Sequence, residues 1–395
     1  MADLERDTLV FRFPEIHPKA ELTVSFIRTL RLPDDGKKYP LPPGLGTFPL
    51  RHVEDFKSKV PPKWSEHGGI MLPMYQSEAL WIKFTSIYLY DRNCHYPFAV
   101  KISAGKKSAV TGKTWSKTLR ENDYLVVPEQ PWIDGFVVEN GLVKQFVAVP
   151  LGMGMTVEGQ LSGKEEFGGI QIQVFPMKLK AFNKKFPVRQ QEKYLGNLAR
   201  GVRLNSNISY GSSGFGAMGS SGTYYNNVSS QSMCSTNSLF SASNAPTIGT
   251  KSMLRDCDDS FSIDECNTVS DMGLGAGGSM VQQIFKDPHK LDDWDQSVKN
   301  RCYVHIVNTM VWQTITNSTP PTLPRTASDY SSYGLPWFNF YVENVKSHKG
   351  TKELKSIKTI TQMSKKKGIP VLPENKSISL KHVVTLGNVH DGKWE

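Results

Sequence analysis

The sequence predicts a mainly β protein: an antiparallel sandwich or barrel-like core with a few short helices, interrupted by a long disordered insert. Three observations carry this expectation. Short apolar runs recur at close spacing from residue 8 to 182, tight-turn residues separate them, and the stretch 204–250 contains no charged residue. Closely spaced strands joined by tight turns favour antiparallel pairing over βαβ units.

The β-rich region spans 8–182. Leu22 to Leu32 reads as its first long strand, and Trp81 to Tyr90 alternates apolar with polar positions. Phe98–Ser103, Leu125–Val127, Phe136–Val138 and Lys144–Val149 follow. Ile170 to Phe175 alternates with period two, the signature of a half-buried strand. Turn chemistry falls at Pro33–Gly36, Ala104–Lys106, Glu139–Gly141 and Phe167–Gly169. Asn140-Gly141 between two apolar runs signals a hairpin.

A basic connector, 183–203, comes next, with a short helix expected at Gln190–Leu198. A low-complexity disordered insert and acidic linker cover 204–279. Ser, Gly and Asn dominate the insert, which has too little apolar surface to offset the entropy of ordering. Such a composition also suits weak self-association. The C-terminal β/α region, 280–395, is expected to pack on the first. In it Arg301–Thr314 and Trp337–Val345 read as strands and Lys352–Met363 as an amphipathic helix.

The formal net charge of +10 permits phosphate or acidic partners without specifying a fold. No apolar run reaches signal-peptide length near the N-terminus or the roughly 18 residues of a membrane span. A soluble, cytoplasmic protein with no membrane partner is therefore expected. Five cysteines, an odd number without a CxxC pair, argue against a disulfide framework and a thiolate zinc site. They are read as free thiols.

Gly273–Gly278 matches G-x-G-x-x-G, but the acidic residues Glu265 to Asp271 precede it and would repel a pyrophosphate. A flexible glycine linker is the reading. Gly105 to Thr114 has the wrong spacing for a phosphate loop and reads as a hairpin turn with solvated Lys106, Lys107 and Lys113. The acids around Cys257 and Cys266 lack an EF-hand pattern. No cofactor and no metal is expected.

The loop Pro128–Gly135 holds the candidate catalytic acids Glu129 and Asp134, with Trp132 as a wall. Paired carboxylates beside an aromatic ring are how glycosidases work. The competing reading, which we prefer, is a stiff loop whose Trp132 caps the core and whose acids are structural. Trp132, Tyr75 and His67 are the ligand-binding candidates, each a ring beside polar groups. The segment Lys346 to Lys381 carries ten lysines against Glu353 and Glu374, but no arginine and no stacking aromatics. A solvated lysine surface is preferred there over nucleic acid.

Three phrases carry a resemblance: Met74–Trp81 (MYQSEALW), Val127–Trp132 (VPEQPW) and Gly334–Phe338 (GLPWF). They resemble a family of bacterial and fungal proteins without an assigned function. The resemblance covers both ordered regions and excludes the insert, implying that 8–182 and 280–387 form one unit. It implies no activity and no site residues. The expected function is a non-enzymatic binding or assembly protein, with a protein partner or self-association. The alternatives are a hydrolase using the Glu129–Asp134 loop and non-specific nucleic-acid binding through lysine-rich segments.

Overall fold

The computed structural model describes residues 2–189, 271–341, 346–369, 376–380 and 382–387. Most of the expected disordered insert, the Gln190–Leu198 helix and the Cys257–Cys266 acidic pair lie outside the described residues. The frame consists of β1 (Glu21–Thr29), β2 (Ile70–Met74), β3 (Ala79–Ser86), β4 (Phe98–Ala104), β5 (Gly135–Glu139), β6 (Leu142–Pro150), β7 (Ile170–Pro176), β8 (Asp271–Val281) and β9 (Asn300–Asn308). In β1, Leu22, Val24 and Phe26 are buried and alternate with half-buried Glu21, Thr23 and Ser25, so period two in the sequence becomes an inner and an outer face.

The protein is mainly β, and its large sheet is predominantly antiparallel. β3 pairs with β1 and β6, β6 with β8, β8 with β9, β9 with β7, and β7 with β4, all antiparallel. β2 lies parallel to β9. β4 pairs with Leu125–Val127, and Trp132–Ile133 pairs back onto β3. The ladder thereby returns to its start through the Pro128–Pro131 loop, which closes a barrel-like core. Phe26, Ile82, Phe98, Phe136 and Phe146 belong to the continuous apolar cluster of buried residues. The β5–β6 hairpin turns at the expected Asn140-Gly141, with Gly141 at φ 71°.

Four expectations need correction. β7 is buried along its whole length rather than on one face. Its glutamines are interior positions, not a wet face: both are buried, and the Gln171 amide donates to the Gly105 carbonyl at 2.9 Å. The Gly273–Gly278 run is no flexible linker but the middle of β8, buried from Met272 to Gly278. Its glycines let neighbours reach the backbone: a Cβ on Gly275 would stand 2.9 Å from Ile360 Cγ1, and one on Gly277 2.6 Å from Val147 Cγ2. The ordered C-terminal region thus begins at Asp271, inside the span assigned to the linker.

The strand expected at Arg301–Thr314 stops at Asn308, whose side chain accepts from the Met310 N–H and starts a helix, Thr309–Thr316. The helix expected at Lys352–Met363 is two, Lys352–Ser356 and Ile360–Lys367, with Thr359 capping the second. Trp337–Tyr341 pairs in parallel with Val383–Gly387. Because β8 and β9 sit inside the sheet, both flanks of the insert share one core. Among the described residues, no helix is long and apolar enough to cross a membrane.

Candidate functional site

The Pro128–Gly135 loop bridges the two sides of the curled sheet, and that position determines what its side chains can do. Asp134 is buried at 2% exposure. Its Oδ2 accepts from Gln282 Nε2 at 2.7 Å, and its own N–H donates to Gln282 Oε1 at 3.1 Å. Burial pushes its carboxyl up to about 7, against hydrogen bonds from Trp132 and Gln282. Trp132 is half-buried, edge-on to Trp81 at 6.3 Å and to Phe340 at 5.0 Å between ring centroids.

Glu129 faces elsewhere. It lines a cavity of about 320 Å³ together with Tyr88, His95, Pro97, Pro128 and Phe186. Burial, with Asp287 adding to it, raises its carboxyl to about 7. Its Oε1 lies 3.8 Å from His289 Nε2, beyond hydrogen-bond reach. The structure therefore does not bring Glu129 and Asp134 together in that cavity: one acid lines it and the other is bonded to Gln282 within the fold.

Tyr75 serves as an anchor. Its hydroxyl donates to the Pro321 carbonyl at 2.8 Å, and its N–H donates to Glu78 Oε2 at 2.9 Å. Glu78 is buried and paired with Arg28 at 2.6 Å, and Arg28 in turn donates to the Thr322 carbonyl. This group ties the proline-rich loop to β1 and β3.

His67 stands in a different setting. β4, β7, β9 and β2 are neighbours, and their ends meet at one place. The turn after β4 carries Lys106, the turn before β7 carries Phe167, β9 carries Arg301, Tyr303 and His305, and the helix α1 (Pro62–His67) before β2 carries Lys63 and His67. His67 stacks on Tyr303 at 4.8 Å and 15°. His305 beneath is buried, stacked on Trp64 at 4.6 Å, and burial pulls it down to about 4. The Phe167 ring has Lys106 Nζ at 3.6 Å and Lys63 Nζ at 5.1 Å from its centroid, and Arg301 lies 4.9 Å from that of Tyr303. Phe167, Tyr303 and His67 are half-buried, while Lys106 and Arg301 are exposed.

The local backbone is built for this meeting. Glu158, in the helix α2 (Val157–Ser162), accepts from the N–H groups of Lys106, Phe167 and Gly168 at 3.2, 3.2 and 3.0 Å, fastening both turns to one carboxylate. Gly69, at φ +92°, must be glycine, since a Cβ there would lie 2.3 Å from the Tyr303 carbonyl oxygen. Burial, then Lys63, keeps His67 below the usual imidazole value; Arg301 and Lys106 act in the same sense against Glu66. The surface thus groups aromatic rings with cations that lie over the rings of Phe167 and Tyr303.

No family model, curated protein or solved structure matches the chain. Of the five sequence candidates, only His67 belongs to this ring surface and only Glu129 lines the cavity. Reading the sequence missed Lys63, Lys106, Phe167, Arg301 and Tyr303 as a group, because segments far apart in the chain supply them. Among the described residues, no group of three or more His, Cys, Asp and Glu side chains is placed to hold a metal ion. Cys94 and Cys302 are free thiols; the other cysteines lie outside the described residues.

Proposed function

We propose that this is a non-enzymatic binding protein that holds single-stranded nucleic acid, without sequence preference, on the His67–Tyr303–Phe167 surface. One observation carries the reading: Lys106 Nζ and Lys63 Nζ lie 3.6 and 5.1 Å from the centroid of the Phe167 ring, beside the stacked His67–Tyr303 pair. Rings that stack bases, interleaved with cations that contact phosphates, are the elements of sequence-tolerant single-strand binding. The overall charge of +10 favours approach of a polyanion.

Fluorescence anisotropy with a labelled oligothymidylate tests the reading. Tyr303→Ala should weaken binding by about tenfold, since a stacked base contributes about 1–3 kcal/mol. Lys106→Ala should lower the slope of log affinity against log salt by about 0.7, the release expected for one single-strand phosphate contact. Affinity unchanged in both variants would remove the surface from the reading. A second reading, a hydrolase, is favoured by the raised carboxyl of Glu129 in a cavity, a trait of general acids. It would then rest on Glu129 and His289 without Asp134. Turnover of a glycoside or ester substrate that disappears in Glu129→Gln would support it.

A further inference from the structure

The cavity beside Glu129 combines a carboxyl group with aromatic walls. The hairpin of Tyr88–Leu89 and Cys94–His95 forms one side, and Phe186 with Pro128 the other. Tyr88 meets the His95 ring edge-on at 5.1 Å, which fixes both. The Glu129 Oε2 atom is buried and has no hydrogen-bond partner among the described residues. The charge that acts on this carboxyl is that of another acid, Asp287, which raises it further.

His289 does not supply the missing positive charge. Its Nδ1 lies 3.1 Å from Lys185 Nζ, so an ammonium N–H donates to that nitrogen and the neutral ring carries its hydrogen on Nε2. Lys185 is itself engaged with Asp293 at 2.9 Å. A half-buried carboxylate paired with no lysine or arginine among the described residues, in a cavity lined also by tyrosine and phenylalanine, is electrostatically incomplete. Ring faces attract cations, and a carboxylate completes their neutralisation. A cavity of about 320 Å³ is at the small end of ligand sites, which suits a compact head group.

We propose that this cavity binds an organic cation, a primary or methylated ammonium group, with the Glu129 carboxylate as counter-charge and the Tyr88 and Phe186 rings as walls. The site is separate from the ring surface at His67 and independent of the nucleic-acid reading.

The test uses the full-length protein and an isosteric pair of probes, choline and its uncharged carbon analogue 3,3-dimethylbutanol, with butylammonium as the primary amine. NMR titration follows the ring resonances of His95 and Tyr88. Choline or butylammonium should shift these resonances saturably, and 3,3-dimethylbutanol should bind at least about tenfold more weakly, a difference of about 1.4 kcal/mol. Glu129→Gln keeps the shape of the side chain and removes the charge, and should weaken ammonium binding by a similar factor. Phe186→Leu keeps the wall apolar without a ring and should weaken it less. Equal binding of choline and its carbon analogue would overturn the proposal. So would undiminished ammonium binding by a folded Glu129→Gln protein, or no saturable shift with either ammonium probe.

Discussion

Asp134 makes the sharpest stability prediction, because its carboxyl is fully buried and the side chains that bond it, Gln282 and Trp132, are uncharged. The ordinary aspartate value of 3.8 rises to about 7 in the fold, chiefly through burial. Well below 3.8 the carboxyl is protonated in both folded and unfolded chains and contributes no pH dependence. Between 3.8 and about 7 the unfolded chain releases the proton while the folded one keeps it, so stability falls as pH rises. Above that window the lost stability levels off at up to about 4 kcal/mol. Asp134→Asn removes the ionisation, and the amide oxygen can still accept from Gln282 Nε2. The variant should therefore match or fall slightly below wild type at about pH 4 and exceed it by about 2–4 kcal/mol at about pH 8. Urea unfolding of both proteins across this range provides the assay. A constant difference at every pH, or a wild type that gains stability relative to Asp134→Asn between these limits, would refute the reasoning.

Two further substitutions probe the same closure and the same sheet. Trp132→Ala removes a half-buried indole wedged edge-on against Trp81 and Phe340 and should destabilise by about 2 kcal/mol in urea unfolding; wild-type stability would leave the indole without a structural part. Gly278→Ala would place a Cβ 2.3 Å from the Pro33 carbonyl oxygen, so it should destabilise by more than about 2 kcal/mol, whereas a neutral outcome would revive the flexible-linker reading of that run.

The sequence made the β architecture legible because alternation and turn chemistry are local. Leu22, Val24 and Phe26 mark an inner face by themselves, and Asn140-Gly141 marks its own hairpin. β8 was illegible for the opposite reason. Its Gly273–Gly278 run carries little hydrophobic signal, and its fitness for a strand lies in partners such as Ile360 and Val147 that must approach the backbone. Gln171 and Gln173 likewise read as solvent-facing, although Gln171 is satisfied by a carbonyl 66 residues away in sequence. For the loop at 128–135, the stiffness and the ring were readable, but the separation of Glu129 from Asp134 was not, since Gln282 holds one and the Tyr88–His95 hairpin frames the other. His67 was singled out for a ring beside polar groups; its cationic neighbours come from α1, two turns and β9, and only the sheet order assembles them.

Photo-crosslinking is the most direct test of the proposed nucleic-acid surface. An oligonucleotide carrying 5-bromouracil is bound to the full-length protein, irradiated, and the crosslinked peptides are mapped by mass spectrometry. Crosslinks should concentrate on Tyr303, Phe167 and His67, and should disappear when salt is raised enough to abolish binding. Crosslinks confined to the lysine-rich Lys365–Lys367 segment, with none at Tyr303 or Phe167, would contradict the account.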